Sequence, residues 1–546
     1  MIATMERDAL AGGTLVPRFD VADARVPTTG YRARRSLPFA VAAVAVASAA
    51  VGLRLIGQTT AYELFVDEIQ YVDLGNSFAE GRGPELFGEP FFLHPPLFFA
   101  LLGGIIDQPV TQVTVDLVLE LRWVNSIFAA FNVLLIVAVA RQVTGRDPAL
   151  IAGALYTLDP FAIKFDSRVV LETSMMTAVL AGVLAALLAV QANGTRRTWW
   201  LIGAGVAFGI ALTTKQTSAL VTTVPLGLML ITSWGLRRRE AACVLGVQAG
   251  VYGAYLGWVL ATERIGDWWE QTFVGAARAI GTIQQTGFNA PGAPGLLDRV
   301  LANLSLFGPT YLLIAVGSAH VAHLLATTRR SLRAGTHPTG RQDSATASST
   351  LLTCWFLGIL ASIAYTVGFG TLEEQTFYLL AVPSMVAVAM AVSRFAVLPR
   401  LVYLAGGMAV AAILFGSSAV WYRVHSTTDD TYHAFTTWAA TNLPVGTQLG
   451  LTEGMAQFVL PGYGAHAFTS VDDIRTTGAR YVLVSTQLTQ LGFASITPAV
   501  IDTLDARYAV VFHVTGRTSG DLQLYDLNAP LDGSAPVVPG AQGVAP

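Results

Sequence analysis

Eleven stretches of this 546-residue chain are apolar over about the length that crosses a bilayer, and nothing else in the sequence limits the fold so strongly. They run over 38–57, 123–140, 148–165, 172–192, 198–213, 217–235, 241–261, 303–327, 351–369, 377–393 and 398–421. Hydrocarbon offers a peptide group no hydrogen-bond partner. A segment inside it must therefore satisfy its own backbone as a helix, and ~20 residues reach across. Composition agrees, with 53% hydrophobic and 13% charged residues and a mean hydropathy of +0.54, where soluble domains carry about 25% charged residues. The expected fold class is a polytopic α-helical membrane protein in the cell membrane. A net charge of −3 with no basic stripe excludes nucleic acid as a partner.

One further apolar run, 95–107, is too short to span and reads as a helix lying in the interface. Cationic loops then set the orientation. With the N-terminal tail (1–37) in the cytoplasm, the inside loops hold Arg141, Arg146, Arg196, Arg197, Arg237, Arg238, Arg239, Arg329, Arg330, Arg333, Arg341, Arg394 and Arg400 against only Asp147, Glu240 and Asp343. Threading 95–107 as a span would invert every later loop. The string "AVASAA" (45–50) resembles a signal-peptide cleavage site, but a polar leader of some 37 residues precedes the run, so a retained anchor is expected.

Beyond residue 421 the texture changes. "TQLGLTEG", "RYVLVST", "YAVVFHVT" and "LQLYDL" are strand-like and alternate with helical stretches such as 431–443 and 498–506. Residues 422–528 are expected to form a small extracytoplasmic α/β domain, since eleven spans end outside. The Pro/Gly/Ala-rich tail, 529–546, and much of the inside loop 329–350 read as disordered. Cys243 and Cys354 both lie in apolar runs and read as small buried side chains, giving no disulfide framework.

This threading collects polar residues on the outer side. The first external loop (58–122) holds Asp67, Glu68, Tyr71, Arg82 and His94. The second holds Lys164, Asp166, Arg168 and Glu172, and the third Lys215 and Gln216. The fourth, 262–302, carries Glu263, Arg264, Asp267, Trp268 and Trp269, and the fifth Glu373, Glu374, Gln375 and Tyr378. Both lysines of the chain, Lys164 and Lys215, are on this side. Charges at a bilayer edge are costly enough to mark a functional site. Sugar transfer from a polyprenyl phosphate needs these types: cations to hold the departing phosphate, a carboxylate to take the acceptor's proton, and a position where the lipid tail stays in the membrane. A divalent cation could assist the phosphate, but no His/Asp/Glu spacing makes a metal site.

"DE" at Asp67–Glu68 followed by "HPPL" at His94–Leu97 resembles the first external loop of the protein O-mannosyltransferase family. It is similar also to the bacterial lipid A aminoarabinose transferases, which have Lys in place of the His. "DSRVVLET" (166–173), "TTKQTSAL" (213–220) and "EEQTFYLLAVP" (373–383) resemble later elements, and the likeness covers roughly 38 to 395. The resemblance implies a GT-C fold with about 11 transmembrane helices, and an inverting transfer from a polyprenyl-phosphate-linked sugar to an extracytoplasmic acceptor, whether glycan, lipid or protein. It implies Asp67 as the catalytic carboxylate supported by Glu68, with His94, Arg168, Glu172 and Lys215 around the donor phosphate and sugar, and with Tyr71, Glu374 and Tyr378 as further candidates. The large luminal insert of the eukaryotic mannosyltransferases is missing. Each residue also has a plainer reading: Arg168 and Glu172, four apart, as a helix-surface pair, Lys215 as a snorkelling anchor, and Trp268 and Trp269 as an interfacial belt. A transporter or flippase of a lipid-linked substrate is the alternative function, and a lipid-binding scaffold without catalysis a third. Transporters place polar residues at mid-span, whereas here the acids gather at one rim.

Overall fold

The computed structural model describes residues 32–111, 113–283, 294–333, 344–369, 375–395, 400–452, 460, 462–491 and 494–531. The chain forms two compact units, Met1–Ala42 and Ala43–Pro546. The described part of the first is the opening of helix α1 (Arg32–Leu55). Every contact below lies within the second.

Among the described residues eight helices are long and apolar enough to cross a membrane: Leu37–Leu55, Val115–Arg141, Leu171–Gln191, Arg238–Ala261, Leu304–Thr327, Thr346–Phe369, Thr376–Arg394 and Leu404–His425. The other three expected runs are also helical but differ in detail. Run 148–165 is broken: α6 (Arg146–Leu158) stops at Asp159, and α7 (Pro160–Asp166) restarts there. Pro160 has no N–H to continue the ladder, and the Asp159 carboxylate accepts from the Ala162 N–H at 2.8 Å, capping the new helix. Run 198–213 lies on α9 (Gly194–Thr214), which opens with Arg196 and Arg197. Run 217–235 begins as a 3-10 turn, Gln216–Leu220, and continues as α10 (Thr223–Thr232).

The segment between the first two spans, 58–122, is folded over its described residues. In chain order it contains α2 (Val66–Ala79), a short hairpin of β1 (Glu85–Leu86) and β2 (Glu89–Pro90), α3 (Leu97–Ile105) and α4 (Val115–Leu121), which abuts the long α5 (Trp123–Arg141). At 9 residues α3 is too short to span, as expected for the run 95–107. It crosses α2 at two glycines. A Cβ on Gly75 would sit 2.7 Å from the Leu102 Cβ, and one on Gly103 2.7 Å from that of Phe78. This backbone-close crossing fixes the segment bearing His94 against the helix bearing Asp67.

The remaining long helices are α8 (Leu171–Gln191), α11 (Arg238–Ala261), α14 (Leu304–Arg333), α15 (Ser344–Phe369), α16 (Gln375–Phe395) and α17 (Arg400–His425). Between α11 and α14 come α12 (Ile265–Ala279) and α13 (Leu296–Ala302). Helices α14 and α15 both extend into the loop expected to be disordered, and 334–343 within it lie outside the described residues. Cys354 is buried and Cys243 partly so.

After α17 comes α18 (Thr431–Asn442), then a five-stranded mixed sheet in the order β4-β3-β5-β7-β6. Its strands are β3 (Gln448–Leu451), β4 (Gly464–Ala467), β5 (Tyr481–Ser485), β6 (Tyr508–Gly516) and β7 (Gly520–Pro530). β3 pairs in parallel with β4 and β5, while β7 runs antiparallel to β5 and β6. Strand β7 continues to Pro530, two residues past the expected end, and 532–546 are outside the described residues. One apolar cluster joins loop and sheet: Leu64, Ile69, Phe98, Phe99 and Val118 bury together with Tyr432, Phe435, Leu449, Leu483 and Leu522.

Candidate active site

The adjacent acids Asp67 and Glu68 open α2 and diverge at once. Glu68, third in the helix, is fully buried and accepts the Phe65 N–H at 3.1 Å. It takes both arms of Arg122, from Nε at 2.9 Å and from Nη2 at 2.8 Å, and the Val169 N–H at 2.9 Å. Arg122 spends its other N–H groups on the carbonyls of Gln58, Tyr62 and Glu63. A carboxylate with four donors and no exposed surface has no lone pair to offer a substrate. Expected beside Asp67 in catalysis, Glu68 is instead the knot that ties the loop to the start of α5 and α8.

Asp67 is only partly buried, and the Tyr71 hydroxyl donates to its Oδ2 at 3.3 Å. Burial pushes its carboxyl up to about 6, with Lys215 pulling the other way and Glu172 and Glu68 reinforcing the rise. Asp67 thus shares its surroundings with residues from two other loops. Glu172, in the first turn of α8, accepts from Lys215 Nζ at 2.5 Å, and both are buried. Lys215 follows the last residue of α9 in extended backbone, which turns its side chain across to α8. It is therefore held in an ion pair, not snorkelling.

His94, between β2 and α3, completes the group. Its ring meets the Tyr71 and Phe91 rings edge-on at 5.9 and 6.0 Å, with the Gln216 side chain nearby. Burial and the Lys215 ammonium push its pKa down to about 3, so His94 is a neutral hydrogen-bonding imidazole and not a cation. Its segment is gripped from outside: the Gln271 amide accepts the Phe92 N–H at 2.6 Å and donates to the Pro90 carbonyl at 2.8 Å.

Two other expected residues go elsewhere. The Arg168 guanidinium lies against the Tyr62 and Phe65 rings at 5.6 and 5.7 Å and donates to the Glu63 carbonyl at 3.0 Å. It precedes α8, so it cannot form the helix-surface pair with Glu172, and it belongs to the Glu68–Arg122 side. Tyr378 is fully buried, donating to Asp166 Oδ1 at 3.2 Å and meeting the Tyr156 hydroxyl at 3.0 Å. Asp166 itself pairs with Arg54 at 2.7 Å and accepts from Thr173. That network ties α1, α7, α8 and α16 together away from Asp67. Glu374 lies outside the described residues. Lys164 faces the Phe161 and Phe307 rings at 5.9 and 5.2 Å, as an anchor would.

Sequence reasoning missed Arg122, Arg54 and Glu63. For Arg54 and Arg122 the visible signal was a charge placed within or just before an apolar run, which demands a buried partner. Glu63 accepts from the Thr431 N–H at 2.7 Å and from its hydroxyl at 2.5 Å, and burial pushes its pKa up to about 7. Among the described residues no group of three or more His, Cys, Asp or Glu could hold a metal ion.

Residues 94–280 match the family described as dolichyl-phosphate-mannose-protein mannosyltransferase, a region that includes His94, Arg168, Glu172 and Lys215. Among curated proteins, nothing matches the sequence. In structure the chain is similar to the archaeal oligosaccharyltransferase AglB from Archaeoglobus fulgidus, in complex with an inhibitory peptide and a dolichol-phosphate. The TM-score is 0.53 at 12% identity, over 90% of this chain and 74% of that one. It is similar also to ArnT from Cupriavidus metallidurans bound to undecaprenyl phosphate, with a TM-score of 0.51 at 13% identity, over 90% of this chain and 98% of that one. The fold is GT-C. It is a multi-pass membrane fold, and the comparisons lend the transporter alternative no support.

Proposed function

We propose that the chain is a membrane glycosyltransferase that moves a sugar from a polyprenyl-phosphate donor to an acceptor on the extracytoplasmic side, with inversion. In this reading the N-terminus is cytoplasmic, residues 38–421 are the transmembrane catalytic part, and 422–528 form the extracytoplasmic α/β part. The observation that carries it is the meeting of Asp67, Glu172–Lys215 and His94, from three loops, beside the ends of long apolar helices. The two solved structures described above bind a dolichol-phosphate and undecaprenyl phosphate, which supports a lipid phosphate as donor here.

The acceptor's O–H or N–H faces Asp67, and its lone pair attacks the anomeric carbon as that carbon's bond to the phosphate oxygen breaks. Asp67 takes the proton. With a pKa of about 6 it is ionised at neutral pH yet a stronger base than an ordinary aspartate. Lys215 faces the departing polyprenyl phosphate with the N–H groups not used on Glu172, and neutral His94 donates or accepts a hydrogen bond without adding charge. Glycan mass spectrometry of a deletion strain complemented with the native protein or with Asp67→Asn tests this. The missing sugar should return only with the native protein; its return with both would remove Asp67 from the chemistry.

A further inference from the structure

Helix α12 presents two unlike faces. Ile265, Trp269, Phe273 and, just past its end, Ile280 lie at helical spacing on one side, with Trp269 64% and Phe273 60% exposed. The rings of Trp269 and Phe273 stack 6.5 Å apart. A soluble surface rarely leaves two such rings open in one stripe. The face about a third of a turn round holds Trp268, Gln271 and Gly275. Trp268 packs on the Phe92 cluster, Gln271 grips Pro90 and Phe92, and a Cβ on Gly275 would come within 3.0 Å of Leu93. Asp267 and Glu270 occupy the remaining, polar side.

Exposed apolar side chains also flank the stripe along the chain. Helix α11 ends only a few residues earlier and leaves Trp258 and Leu260 exposed, and α13 beyond leaves Leu297 and Leu301 exposed. An amphipathic helix following directly on a span, with aromatic rings on its apolar side and acids on its polar side, matches the boundary of hydrocarbon and headgroups.

We propose that α12 lies in the lipid boundary of the leaflet on the site's side, apolar stripe down, and clasps the His94 segment through Gln271 and Trp268, so that lipid contact holds that segment in place. The occupant of the stripe is lipid, neither a second copy nor the acceptor. The clasp bears on catalysis only if the glycosyl-transfer reading holds.

The test uses the full chain in liposomes, with Cys243→Ser and Cys354→Ala as background. Spin labels are placed one at a time at Trp269→Cys, Phe273→Cys and Glu270→Cys. Dissolved oxygen should relax the labels at 269 and 273 while an aqueous nickel chelate does not, and the label at 270 should show the reverse. Equal access of the chelate to all three, or dipolar coupling between labels on two copies, overturns the lipid contact. Gln271→Ala should raise the KM for a polyprenyl-phosphate sugar about tenfold, with kcat nearly unchanged and label depth unmoved. An unmoved KM overturns the clasp. If the native protein transfers no sugar at all, the proposed function fails, while the label depths still decide where α12 lies.

Discussion

Two carboxylates one residue apart, Asp67 and Glu68, sit in opposite environments. Around Glu68 every lone pair is matched by an Arg122 or backbone N–H, and no surface is exposed. Around Asp67 there is one tyrosine hydroxyl, an ammonium shared with Glu172, and remaining surface. A saturated ion pair resists change and therefore serves as structure. An under-satisfied acid whose proton is loosely balanced serves chemistry. Burial and the number of committed donors together separate the two.

The largest effect that could break this contrast is on turnover. Asp67→Asn should lower transfer about a thousandfold while the protein still binds its lipid donor, read by assay in liposomes. Next, Glu68→Gln should leave Arg122 buried without a counter-charge and lower folding stability by about 3 kcal/mol, seen as early melting in detergent. An intact, inactive Glu68→Gln protein would reverse the assignment of the two acids. Third, Lys215→Met should lower transfer about a hundredfold and destabilise the fold, since Glu172 loses its partner. Adding Glu172→Gln should restore the melting temperature but not the activity.

The smallest effect concerns protons. Burial holds the Asp67 pKa at about 6, above the ordinary 3.8. Ionising it therefore costs folding free energy, a cost absent below about 4 and complete once pH has risen through about 6. Asp67→Asn should thus be more stable than the native protein at pH 8, by about 1 kcal/mol after solvent screening, and equal to it near pH 4. The native rate should rise with pH through about 6 and then level, because His94, neutral down to about 3, adds no second limb.

The helices could be read from sequence because hydrocarbon leaves a chain one option, and the placing of Lys215, Glu172 and His94 at the ends of helices followed from that. Partner choice could not be read. Glu68 and Arg122 are 54 residues apart, and Arg54 and Asp166 are 112 apart. Nothing local says that Arg168 will turn to Tyr62 and Phe65 while Lys215 takes Glu172. Tyr378 looked like a site residue because it opens α16 beside two acids; the acid it reaches is Asp166, through a crossing of helices that no spacing encodes.

The bond from Thr431 to Glu63 spans 368 residues. During synthesis the segment ahead of Asp67 must therefore wait for nearly the whole polypeptide before its buried acid finds a mate. Ribosomes delivering this chain would release an inert bundle until α18 arrives, so a truncation near residue 430 should yield an inserted but unfinished protein, even though every residue assigned to chemistry had already been made.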